Sequence, residues 1–243
     1  MALRIKASIA FIVATLPLAA QSYQVHHAHW RRSCVGTLTI SQDGILFDER
    51  TPVKKGKPPH HFTWAFADMQ QLLMEPKRIT ILTYEDVISK FGVDRQYTFE
   101  LQGDATFDNA YASLKNRLDQ RFVSAIPDSS IQPIWKIAVK HELGYTQGSQ
   151  GILAIGEDRI VYRTENQRDS RTWRYSDIDN ISMEGPFQLT LTTFERERTH
   201  YGNRKSFNFQ LKEALSEARF NDLWQRLEKG RSHGILTQKE TNQ

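Results

Sequence analysis

The amino-acid sequence predicts a mainly β protein with helices, organised as two tandem seven-stranded, partly open barrels, each closed by a C-terminal amphipathic helix. Three observations lead there. First, "GTLTISQDGILF" at 36–47 returns as "GILAIGEDRIVY" at 151–162, so Gly36, Leu38, Ile40, Asp43, Ile45 and Phe47 meet Gly151, Leu153, Ile155, Asp158, Ile160 and Tyr162 at a constant offset of 115. So many matched positions in one order mark a duplicated unit. Second, apolar residues in each copy recur at every second position between turn signals, the pattern of half-buried strands. Third, each copy ends where the spacing turns helical, as at Phe107, Tyr111, Leu114 and Leu118.

Residues 1–22 read as an export signal: Arg4 and Lys6 precede the apolar run "ASIAFIVATLPLAA" and small residues suited to cleavage after Ala20 or Ser22. That run is about 14 residues and holds Pro17, whereas spanning a bilayer takes ~20. A retained anchor is therefore disfavoured, and no transmembrane span is expected in the mature chain. The first unit, 23–121, places strands near 23–30, 35–41, 44–50, 60–66, 69–75, 78–85 and 95–102, then a helix at about 106–121. Asp43-Gly44 supplies a hairpin turn between the second and third strands.

Residues 122–133 carry Pro127 and Pro133 and read as a linker, and 134–230 repeat the unit, "WRYSDIDNI" at 173–181 answering "WAFADMQQL" at 64–72. Residues 231–243 are expected to be a flexible polar tail. Seven short antiparallel strands cannot lie flat without leaving one apolar face wet, so a bent barrel is the natural packing. A single lipocalin-type barrel would not place a helix in mid-chain and then restart the same pattern.

Composition narrows the function. A chain that is 39% hydrophobic and 11% aromatic is an ordinary globular one. Its net charge of +4 falls to +2 without Arg4 and Lys6, too balanced for nucleic acid. Cys34, the chain's one cysteine, cannot form an internal disulfide and is expected in a strand as a small hydrophobe. There is no G-x-S-x-G elbow and no phosphate-cradling glycine loop, and "HELGY" at 141–145 lacks the second histidine of a zinc-hydrolase motif. The reading is a non-catalytic, exported binding module, periplasmic or secreted, with no cofactor. The alternative is a ligand- or metal-binding accessory protein, or an enzyme with its site in the barrel.

The order of seven strands and a helix, with an aromatic-x-aromatic-x-Asp-apolar-x-x-apolar signature, resembles the pleckstrin-homology-like family, including its bacterial and GRAM-type members. The signature stands as Trp64, Phe66, Asp68, Met69 and Leu72, and again as Trp173, Tyr175, Asp177, Ile178 and Ile181. The resemblance implies a site for anionic head groups among the loops after strands one, three and six. Here those loops hold Arg31 and Arg32, then Lys54, Lys55 and Lys57, then Lys90 and Arg95. An anionic membrane surface or a protein partner follows as the expected target. The second copy offers Arg163, Arg168, Arg171, Arg196, Arg198, Arg204 and Lys205, but "ELGYTQGSQG" after its first strand has no base.

Five of the eight histidines fall in the first copy: His26, His27 and His29 on strand one, His60 and His61 on strand four. His27 and His29 share one strand face, half of a metal site, although strands one and four are not neighbours in a meander. Partly exposed strand histidines are the simpler expectation, with His29 matched to His141 of the second copy. Should the two units pack together, Trp30, Trp135 and Trp224 are the expected apolar contacts.

Overall fold

The computed structural model describes residues 20–28, 33–50, 58–88, 90, 92–143, 146–166, 168–197 and 204–240. The first repeat runs β1 (Gln21–His27), β2 (Cys34–Ile40), β3 (Gly44–Glu49), β4 (His61–Ala65), β5 (Met69–Met74), β6 (Arg78–Asp86), β7 (Asp94–Leu101) and α1 (Asp108–Leu114). After β8 (Phe122–Ser124), the second runs β9 (Trp135–Leu143), β10 (Thr146–Ile155), β11 (Arg159–Thr164), β12 (Arg171–Arg174), β13 (Ile178–Met183), β14 (Gln188–Arg196), β15 (Arg204–Leu211) and α2 (Glu217–Glu240). The period-two segments are thus strands, and the described residues are mainly β with two α-helices. Among the described residues no helix is long and apolar enough to cross a membrane.

Among the described residues all fifteen strands belong to one open sheet, in the order β13-β14-β15-β9-β10-β11-β12-β8-β5-β6-β7-β1-β2-β3-β4. The sheet runs through both repeats in one hydrogen-bonded order and is not closed into a barrel. The cause is β8, which opens the segment read as a linker. It pairs in parallel with β5 through Leu72↔Phe122, Leu73↔Val123 and Met74↔Ser124, and meets β12 at Thr172↔Ser124. Within each repeat the ladder is interrupted by a 3₁₀ turn, Phe66–Asp68 between β4 and β5 and Tyr175–Asp177 between β12 and β13. That turn is the aromatic-Asp signature seen from the backbone, and it leaves β4 and β13 as the sheet's two edges.

Each repeat keeps its own apolar core. The first gathers Val25, Leu38, Phe47, Ile79 and Phe99 against Tyr111 and Leu114 of α1. The second gathers Val139, Leu153, Tyr162, Leu191 and Phe209 against Leu223 and Leu227 of α2. A small third cluster, Leu73, Val123 and Ala125, sits where β8 meets β5. The repeated Gly36 and Gly151 are required by strand approach: a Cβ there would lie 2.3 Å from the Asp48 carbonyl oxygen and 2.2 Å from that of Arg163.

The helices depart from expectation in opposite directions. α1 ends at Leu114, where tighter turns carry the chain towards β8. α2 continues through Gly230 to Glu240, so residues 231–240 extend the helix instead of forming a tail. Gly230 lies against the second 3₁₀ turn, where a Cβ would come within 2.5 Å of Tyr175 Cβ. The glycine serves close packing, not termination.

The repeats are joined by polar groups. Arg174 donates to the Asp119 carbonyl at 2.9 Å and also to that of Leu118. Thr172 Oγ1 donates to the Ile126 carbonyl at 2.7 Å and accepts from the Asp128 amide at 2.9 Å. The Asp128 carboxylate accepts from Lys115 at 2.9 Å and pairs with Arg159. Tryptophan contacts across the junction were the expectation. Trp135 instead packs against the second core, Trp224 is partly exposed, and Trp30 lies outside the described residues.

Candidate functional site

Strand direction decides which loops share an end. β1 is antiparallel to β2 and β7, β3 to β2, and β6 to β7. The C-terminal ends of β1, β3 and β6 therefore point the same way, so the strands that lead into the three expected basic loops end on one side of the first repeat. Arg31, Arg32, Lys54, Lys55 and Lys57 fall outside the described residues. Lys90 is exposed in the β6–β7 turn. Arg95 pairs with Glu85 at 3.0 Å, a surface ion pair that offsets its charge. Beside these cations the same hairpin exposes Tyr84, Val93 and Ile88, the last at 97%.

Under that end lies a cluster of two buried residues and one half-exposed one. His27 closes β1 and is 4% exposed; Cys34 opens β2 opposite it and is 6% exposed. His60 precedes β4 and reaches over the sheet, so that Cys34 Sγ is 3.8 Å from Nδ1 of both His27 and His60. Glu49, at the end of β3, lies 3.3 Å from His60 Nδ1 and accepts the His60 backbone N–H at 2.8 Å. Phe99 stacks on the His27 ring at 4.9 Å, and Phe47 meets its edge at 5.4 Å. Burial, with the Glu49 carboxylate nearby, pushes the Cys34 thiol up to about 11. His29, the other expected ligand, lies outside the described residues.

The second repeat holds the same three positions with different chemistry. His141 pairs with Ser149 and Phe209 as His27 pairs with Cys34 and Phe99, so His27, not His29, is its counterpart. Asp169 precedes β12 as His60 precedes β4. His141 Nδ1 donates to both Asp169 oxygens at 2.9 Å, and the Ser149 hydroxyl donates to the same carboxylate. Burial raises the Asp169 carboxyl, but the hydrogen bonds from His141 and Ser149 outweigh it and hold it below the usual range. A carboxylate can only accept, so His141 Nδ1 carries the proton. Serine, histidine and aspartate are all present, yet the serine bonds the acid directly instead of the imidazole. A nucleophilic relay needs the base between them.

Four of the second repeat's cations, Arg171, Arg196, Arg204 and Lys205, are held in ion pairs. Arg171 is buried and grips Glu195 at 3.0 Å through both Nε and Nη2, while Lys205 reaches the same carboxylate at 2.9 Å. Arg196 crosses to the first repeat, pairing with Asp94 at 3.1 Å and donating its amide to Gln71 at 2.8 Å. Arg204 pairs with Asp179, and Arg198 lies outside the described residues. Arg171, Glu195, Arg196 and Lys205 border a cavity of about 590 Å³ lined by both repeats, including Gln71, Arg78 and Arg168.

Sequence reasoning named His60 on strand four but did not join it, or Cys34, to the histidines of strand one. The signal for that link was the six-residue register change that aligns His60 with Asp169 while Cys34 aligns with Ser149.

No protein-family model matches the chain, and no curated protein matches it. Among solved structures, the C-terminal domain of an unknown protein from Leishmania infantum is similar at 10% identity and a TM-score of 0.32, over 50% of this chain and 94% of that one. A chain of the Spt16D Pob3N heterodimer is similar at 14% identity and a TM-score of 0.28, over 72% of this chain and 84% of that one. Likeness at that level carries no argument about function.

Proposed function

We propose that the protein is a non-catalytic binding module, exported after loss of residues 1–22 and built from two pleckstrin-homology-like units, each a bent barrel with its own helix. Its first unit would bind an anionic membrane surface. The supporting observation is the β6–β7 hairpin, where exposed Ile88, Tyr84 and Val93 stand beside Lys90. A nearly bare isoleucine flanked by a cation suits a surface with an apolar interior and anionic head groups. The loops carrying Arg31, Arg32, Lys54, Lys55 and Lys57 leave the sheet at the same end, and each cation near such a surface adds about 1 kcal/mol.

Two further points support a non-catalytic reading. A thiol at about 11 is protonated at neutral pH, so Cys34 is a poor nucleophile. Ser149 spends its proton on Asp169. The strand order in each repeat, with the first strand joining the second to the seventh, supports the pleckstrin-homology-like assignment.

Co-sedimentation of the full chain with phosphatidylglycerol and phosphatidylcholine vesicles tests this. Binding to the anionic vesicles alone, weakening with salt, is expected. Replacing Lys54, Lys55 and Lys57 by glutamate should weaken it at least about 100-fold, three cations at about 1 kcal/mol each. Ile88→Asp should weaken it independently. No binding at any salt concentration would refute the membrane reading and leave a protein partner.

A further inference from the structure

We propose that His27, Cys34 and His60, joined by Glu49, form a site for one zinc ion at the base of the first repeat's basic end. The two 3.8 Å separations between Cys34 Sγ and the imidazole Nδ1 atoms carry the inference. Zinc bonds of ~2.3 Å to sulfur and ~2.0–2.1 Å to nitrogen, at tetrahedral angles, put those ligand atoms about 3.5 Å apart. The three donor atoms all lie within 4.8 Å of one another, so the two Cys34 separations need a few tenths of an ångström and the imidazole pair at most about 1.4 Å to complete the set. Glu49, 3.3 Å from His60 Nδ1, offers the fourth donor, an oxygen. Thiolate with imidazole is the donor chemistry of zinc and excludes magnesium and calcium, which take oxygen.

The second repeat supplies the internal comparison. At the same three positions it has His141, Ser149 and Asp169, drawn together by direct hydrogen bonds into a closed set. One copy carries a hard, self-satisfying trio and the other a soft trio at ligand spacing. The purpose of the site follows from its place: His27 and Cys34 flank the β1–β2 loop, and Glu49 and His60 flank the β3–β4 loop. The ion would clamp the roots of both across strands that are not neighbours. Binding converts the Cys34 thiol to thiolate, its proton passing to solvent, with no change in oxidation state.

The test uses the full chain, stripped with a chelator and titrated with zinc against a chromophoric competitor, and with cobalt for its spectrum. One ion per chain is expected, with a sulfur-to-cobalt charge-transfer band. Cys34→Ser should abolish the band and weaken zinc binding at least about 100-fold, beyond what loss of an outer partner costs. His60→Ala, at a half-exposed position that leaves the core intact, should also weaken it at least about 10-fold. His61→Ala, which removes an exposed neighbour facing Asp48, should leave affinity unchanged. Absence of bound ion, or wild-type affinity in both Cys34→Ser and His60→Ala, would overturn the proposal.

Discussion

Replacing Arg171 by alanine is expected to destabilise the folded protein by about 3–5 kcal/mol, read as a lower urea midpoint at neutral pH. The guanidinium and the Glu195 carboxylate are both buried, at the edge of the cavity shared by the repeats. Removing one partner leaves the other charge in a poorly hydrated place, which costs far more than the pair contributes. Lys205, at 2.9 Å, compensates only in part because its ammonium lacks the two-pronged fit. Replacing both partners, Arg171→Met with Glu195→Leu, should recover much of the loss, since no acid is then stranded.

The same carboxylate sets an acid limit. Burial raises the Glu195 carboxyl, but the Arg171 and Lys205 charges outweigh it and hold it at about 2, below the ordinary 4.5. A group depressed in the folded state binds its proton more readily when unfolded. Its contribution is therefore complete above pH ~4.5 and is lost as pH falls towards ~2. Urea midpoints measured across that window should fall in the parent and change less in the double variant. Asp128, held below its usual range by Lys115 and Ser130 against the effect of burial, adds in the same direction.

Phe99→Ala and Phe209→Ala are each expected to cost about 3–5 kcal/mol through the lost transfer of a large ring and the cavity left behind. Both rings are fully buried at matching positions. Phe99 stacks on His27 and lies 5.0 Å from Phe47; Phe209 lies 5.2 Å from His141 and 5.1 Å from Tyr162. Because the repeats share one sheet, each substitution should displace the same single urea transition, although the two sites lie in different cores. A substitution that lowered only half of a biphasic curve would place its repeat in a separate folding unit.

The parts of this fold that were legible in the sequence are those set by local rules. The period-two runs located the strands, Asp43-Gly44 located a turn, and Gly36 and Gly151 marked one strand crossing twice. The two aromatic-Asp signatures fall on both 3₁₀ corners, although the sequence alone did not mark them as corners. What was hidden depends on partners far along the chain. Phe122, Val123 and Ser124 are too few to show a period, and only Leu73 and Thr172 at their sides make them a strand. Gly230 reads as a helix stop unless the Tyr175 side chain against it is known. Arg196 reads as a free cation until Asp94, about a hundred residues earlier, is placed beside it. The His27–Cys34–His60 cluster was half visible as histidines on strands one and four, but the curvature that brings His60 over the sheet is a tertiary property.

The central claim is that the chain folds as one body, with the fifteen strands of its described residues in one continuous sheet joined through β8, and not as two independent domains on a tether. Native-state hydrogen exchange read by mass spectrometry on the full chain tests it most directly, comparing the core strands β6 and β14 in mild urea. The account predicts one common opening free energy, with both strands losing protection together and both shifted by Phe99→Ala. Protection lost in one repeat while the other stays closed, with Phe99→Ala felt in the first repeat alone, would contradict it.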